Sequence, residues 1–207
     1  MDTHEIRSRQ IVATMDKIKE ALKEGATVET LNHAKGILGE LAARRELFPE
    51  TDFPWPSAEE NNHMYCVYRS ADGNLALYID VLLRGVSNAP HNHGDSWAIV
   101  SGIHGQEKHL LYKRIDSGNG PGPAELEVAG EITLAQGDSV SMLDGGIHSV
   151  ETVGSESVMM LHCYGKAFED QAARLEFDLA KRTCAYGTDA TGVIFEHPLH
   201  AAALNLK

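Results

Sequence analysis

The chain has 207 residues, 43% of them hydrophobic and 23% charged, which fits one well-buried soluble domain with room for an appendage. A formal net charge of −12, with no cluster of Lys and Arg, repels phosphate backbones and anionic membranes, so neither is an expected partner. No apolar run approaches the roughly 20 residues that cross a bilayer, and Met1-Asp2-Thr3-His4-Glu5 lacks the basic-then-apolar start of a signal peptide.

Residues 1–50 read as a helical pair. Ile6, Ile11, Met15, Ile18 and Leu22 recur at three- and four-residue steps among charged neighbours, an amphipathic stripe. Gly25 ends that run, Thr27 is a candidate N-cap, and Leu31, Ala34, Ile37, Leu38 and Leu41 carry the stripe on toward Pro49. The segment 51–56, with two prolines, Phe53 and Trp55, reads as a link packed onto the next part of the chain. From about His63 the texture changes to short runs rich in Val, Ile, Leu, Tyr and Thr. Strands are expected at 64–69, 75–83, 96–101, 106–114, 124–128, 131–134, 139–143, 150–153, 157–164, 174–179 and 193–195. The turn Ala71-Asp72-Gly73-Asn74 joins the first two as a hairpin. So many short strands at near-regular spacing imply a β sandwich or barrel over 51–207, capped by the helical pair and forming a single folding unit with it. Cys66, Cys163 and Cys184 are widely spaced, odd in number and without a CxxC, which suits reduced thiols and a cytoplasmic protein.

The chemistry concentrates in Ala89-Pro90-His91-Asn92-His93-Gly94. On a strand, residues two apart face the same side, so His91 and His93 project together. A third histidine, His148, comes after the turn-rich stretch Gly137-Asp138 to Gly145-Gly146. Three neutral imidazoles on one side of an ion leave other coordination positions open for reaction. With eleven histidines in the chain, an HxH also arises by chance, and the surrounding pattern has to decide.

That pattern is HxH, then Gly102 and Glu107, then a Gly-Asp turn ahead of a lone histidine. It resembles the two motifs of the cupin superfamily, which implies an all-β-dominated double-stranded β-helix, or jelly-roll barrel. Most metal cupins place a glutamate four or five residues after the second histidine; here Trp97 and Ala98 occupy those places. A three-histidine site without the acid resembles the thiol dioxygenases, the family of cysteine dioxygenase and 3-mercaptopropionate dioxygenase. Met160-Leu161-His162-Cys163-Tyr164 is similar to that family's Ser-x-His-x-Tyr run, with Met160 in place of the serine. Alternation puts Met160, His162 and Tyr164 on one face and Leu161 and Cys163 on the other.

The resemblance implies iron(II), one per chain, on His91, His93 and His148, with O2 as co-substrate and a small thiol oxidised to its sulfinate. Tyr164 and His162 are the implied catalytic pair and Arg69 the clamp on a substrate carboxylate; Trp97, a bulky aromatic beside the metal loop, is expected at the substrate pocket and hints at a shape not shared with all thiol dioxygenases. Alternatives remain at single positions: Tyr164 as a core tyrosine, Arg69 as a surface charge, and Arg84 as a competing clamp. His104 and His109 are expected on the barrel surface or a neighbouring strand. Ala98 stands where mammalian cysteine dioxygenases carry a crosslinked cysteine, so no crosslink is expected, and Gly165-Lys166 replaces the family's prolines. Three rival functions share the metal motif: a cupin dioxygenase or lyase of another reaction type, a non-enzymatic ligand-binding cupin, and a zinc hydrolase. For the hydrolase, no general base stands out beside the ligands. The expected assembly is a monomer or small homo-oligomer.

Overall fold

The computed structural model describes residues 3–187 and the backbone of 193–196. Helix α1 (Thr3–Ala21) turns at Gly25 into α2 (Val28–Ala42). Thr27 caps α2, its hydroxyl accepting from Thr30 N while the Thr30 hydroxyl accepts from Thr27 N. Strands continue the chain as β1 (Asn62–Arg69), β2 (Ala76–Leu82), β3 (Ser87–His91), β4 (Ala98–His104), β5 (Gln106–Arg114), β6 (Gly122–Pro123) and β7 (Leu126–Leu134). Then come β8 (Ser139–Met142), β9 (Ile147–Val153), β10 (Val158–Tyr164), β11 (Leu175–Asp178), β12 (Thr183–Tyr186) and β13 (Val193–Glu196). The remainder of the expected barrel segment, 188–192 and 197–207, lies outside the described residues.

The pairings define the architecture. Strands β2–β10, β3–β9, β4–β8 and β5–β7 are nested antiparallel partners, and successive rungs alternate between a six-stranded and a seven-stranded sheet. A long hairpin closed at β5–β7 and rolled in this way is a jelly roll, the double-stranded β-helix of cupins. The two runs expected at 124–128 and 131–134 form one strand, β7; a bulge opposite Leu111 and Tyr112 absorbs the irregularity near Gly130. Strands β3 and β12 are short and not legible as apolar runs, because β3 is mostly exposed.

The helical pair covers the six-stranded sheet. Ile11, Met15, Ile18, Leu31, Ala34, Leu38 and Leu41 bury their stripe against Leu77, Ile79, Val81, Ile99, Ile103, Met159, Leu161 and Cys163. Phe53, in the link, is fully buried and meets Tyr65 edge-on at 5.6 Å, as its packing role required. Gly102 shows why the two motifs belong together. It donates its backbone N–H to Asp138 O and accepts from Gly137 N, and a Cβ there would lie 2.2 Å from Ala135 O. Only glycine lets β4 approach the turn before β8 so closely. All three cysteines are free and buried, and no helix among the described residues is long and apolar enough to cross a membrane.

Candidate metal centre

The interior of the roll holds apolar clusters toward its two ends. One is Met64, Cys66, Tyr78, Met142, Tyr164 and Phe168; the other is Val100, Leu134, Val140, Val158 and Met160. A cavity of about 310 Å³ is bordered by Tyr164 and also lined by His91, His93, His148, His162, Asp80, Glu107 and Arg174.

His91 closes β3 and sits directly across from His148 on β9. His93 lies beyond the end of the strand, so strand alternation alone does not hold it. Asn92 does: its N–H donates to Leu175 O, and its side-chain Oδ1 accepts from both Leu175 N and Gly94 N. With Asn92 locked outward onto β11, its two neighbours turn inward. Gly94 completes the lock at φ +59, where a Cβ would lie 1.8 Å from Ala172 O.

The three rings converge with centroids 4.6–5.4 Å apart, and one nitrogen from each lies within 4.8 Å of the others. His91 Nδ1–H donates to Ala89 O, leaving Nε2 as its lone pair. His148 Nε2 is buried with no hydrogen-bond partner. Burial, and then mutual repulsion, hold His93 and His148 well below the ordinary imidazole range, and burial brings His91 down to about 4. Three neutral, inward-facing nitrogens, one of them an orphan, are what a divalent transition metal requires and what an apolar core would not tolerate. The donor set therefore fits a metal ion; imidazole alone does not choose among iron, zinc, copper and nickel.

Strand β10 divides as alternation requires. Leu161 and Cys163 face the helices, whereas His162 and Tyr164 line the cavity. Tyr164 and His162 Nδ1 are 2.8 Å apart, and the Tyr164 ring lies 5.1 Å from that of His93. Burial raises the phenol far above its ordinary range, so it is a hydrogen-bond donor at neutral pH, and burial brings His162 down to about 4, making it the acceptor. The other ring nitrogen, His162 Nε2, points toward Asp80 Oδ2 at 3.9 Å.

Two expected substrate residues stand elsewhere. Arg69 pairs with Asp170 and lies 3.7 Å from Glu169. Trp97 backs onto Gly165, where its ring fills the space of a missing Cβ, and packs toward the helix-side core. Neither borders the cavity. Arg84 is exposed. The guanidinium that does line the cavity is Arg174, which precedes β11 and lies 4.1 Å over the Phe168 ring. Nothing local marks it, because a loop brings it there from the far end of the chain.

No general base stands out beside the ligands in the sequence, but the fold brings two acids to the cavity. Asp80 and Glu107 are both buried and line the same cavity. Burial, reinforced by Glu107, pushes Asp80 up to about 7; Asn62 donates to it at 3.3 Å. A lone acid inside the apolar run 75–83 is the sequence signal for Asp80. His109, expected on the surface or a neighbouring strand, is on the neighbouring strand β5 and fully buried behind His148, while His104 is half-buried near Trp55.

No family model and no curated protein sequence matches the chain. Among solved structures, an oxalate oxidase in complex with glycolate is 17% identical with a TM-score of 0.43, covering 58% of this chain and 59% of that one. The chain thus spans about three fifths of that enzyme's length. The DMSP lyase DddQ from Ruegeria pomeroyi DSS-3 is 18% identical, with a TM-score of 0.41 and coverage of 57% and 54%. KdgF from Halomonas sp. is 15% identical, with a TM-score of 0.42 and coverage of 57% and 92%. The assignment to the cupin fold rests on the nested strand pairs, and the metal site on the three convergent histidines.

Proposed function

We propose that the protein is an iron(II)-dependent thiol dioxygenase with one iron per chain on His91, His93 and His148. It oxidises a small thiol of the cysteine or 3-mercaptopropionate class to its sulfinate, RSH + O2 → RSO2H, with both oxygen atoms ending on sulfur. The observation that carries this reading is the donor set: three neutral imidazoles with no carboxylate among them, beside a Tyr164–His162 pair in one cavity.

Bound iron(II) would supply the acidity that turns a thiol into a thiolate and the redox chemistry that O2 requires. Because the three imidazoles add no charge, the site favours an anionic ligand over a neutral one. Arg174 takes the clamp role that the sequence suggested for Arg69, a guanidinium being suited to bidentate pairing with a substrate carboxylate. Tyr164, its proton held by burial and its orientation set by His162, donates a hydrogen bond into the reaction space. Fixed positions for carboxylate and sulfur make the oxidation effectively intramolecular.

One observation favours a second reading. Asp80, pushed up to about 7, is poised to exchange a proton near neutral pH, as a metal-dependent lyase would need. A single assay separates the two: purify the protein without added metal, identify what is bound, and follow O2 uptake with cysteine, 3-mercaptopropionate and cysteamine. Thiol-dependent uptake, lost in His148→Ala, supports the dioxygenase. No uptake with any thiol under reduced, iron-replete conditions refutes it.

A further inference from the structure

Behind His148 runs a line of buried groups that no part of the proposed reaction uses. His109, fully buried on β5, lies nearly parallel to His148 with their planes 18° apart, and the two Nδ1 atoms are separated by 3.0 Å. On the far side of His109, Nε2 stands 2.8 Å from Glu107 Oε1, and Glu107 is only 1% exposed. The carboxylate is close enough to pair with the ring, although not aligned as a hydrogen bond.

The proton positions along this line are constrained. Between two facing Nδ1 atoms one must donate and the other accept. The geometry favours the proton of a neutral His109 at Nε2, facing the Glu107 carboxyl oxygen 2.8 Å away. His109 Nδ1 is then a lone pair, and His148 must carry its own proton at Nδ1. That leaves His148 Nε2 bare and facing the cavity, where it has no hydrogen-bond partner. The acid at one end of the line thus decides which nitrogen is offered at the other.

We propose that Glu107 and His109 form a positioning relay that holds His148 as an Nε2 donor, with the Glu107 carboxyl group offsetting in part the charge that three neutral imidazoles leave uncompensated. The acid missing at Trp97 and Ala98 is replaced by one two rings away. Outer partners of this kind orient a ligating imidazole and raise its basicity. The inference rests on the reading of His91, His93 and His148 as metal donors, and is independent of the thiol.

The test uses Co2+ as the probe, titrated anaerobically into metal-free protein and followed by ligand-field absorption and chelator competition. Glu107→Gln keeps the shape and removes the charge; His109→Phe cuts the line. Each is expected to weaken Co2+ binding by about 10–100-fold and to shift the absorption bands. The double variant should bind about as weakly as His109→Phe alone. Unchanged affinity and spectrum in Glu107→Gln, or losses that multiply in the double variant, would overturn the relay. Nitrogen-15 NMR of the metal-free wild type needs no variant: a proton on His148 Nδ1 supports the relay, and one on Nε2 contradicts it. Wild-type protein that takes up no Co2+ would overturn the metal reading along with the relay.

Discussion

The two faces of β10 obey different rules. Toward the helices, Met159, Leu161 and Cys163 are buried among aliphatic side chains from α1, α2, β2 and β4, and nothing there asks for a ligand. Burial pushes the Cys163 thiol far up, so it is an inert apolar filler. Toward the cavity, His162 and Tyr164 share their wall with His148, Asp80 and Glu107, several of whose nitrogen and oxygen atoms are buried without partners. One strand therefore separates a region optimised for packing from one that keeps polar groups unsatisfied. Proteins tolerate the second arrangement where function requires it.

Substitutions on the two faces should fail in different ways. The largest effect belongs to the cavity: His148→Ala should lower turnover on the order of 10³-fold or more, with the fold intact by circular dichroism and the metal content near background. Across the strand, Leu161→Ala opens a void in a fully buried site and should cost about 2–5 kcal/mol in a denaturant titration, with metal stoichiometry retained. If Leu161→Ala lost metal while keeping its stability, the separation of the two faces would be wrong.

Smaller changes sharpen the cavity side. Tyr164→Phe should reduce kcat by about 10²-fold while thiol binding persists. Arg174→Met should raise KM for a carboxylate-bearing thiol by about 10–100-fold with kcat held, since charge-assisted hydrogen bonds contribute about 1.5–3 kcal/mol. Arg69→Met should leave KM unchanged; steady-state kinetics on both variants decide which arginine is the clamp.

A pH dependence gives a further test of the cavity side. Folded Asp80 keeps its proton up to about pH 7, whereas a free aspartate side chain ordinarily releases it near 3.8. Between those limits the folded state binds more protons than the unfolded one, so this group's contribution to stability falls as pH rises through that window and levels off above it. Asp80→Asn should flatten that slope in melting curves of the metal-free protein. A slope identical to wild type would mean that Asp80 ionises normally.

Much of this is legible from residues alone, for identifiable reasons. The helical stripes read correctly because their 3.6-residue period serves one packed face. His91, His93 and His148 stand out because their spacing is dictated by a turn and a strand pair that glycines at 94, 102 and 137 make possible. Arg174 is illegible because its place depends on β11 closing against Asn92, a contact spanning 83 residues. His109 cannot be told from a surface histidine, since β5 has no clear alternation. The lone acid at Asp80 carries a signal, but its meaning depends on Glu107 arriving from another strand. Local pattern thus locates the metal donors, and only the closed roll locates what surrounds them.

The central claim is that His91, His93 and His148 together hold a metal ion. X-ray absorption on protein loaded anaerobically with iron(II) tests it most directly. One iron per chain with the scattering signature of three imidazoles is expected. Iron that fails to bind, or that binds with fewer than three imidazoles, would contradict it.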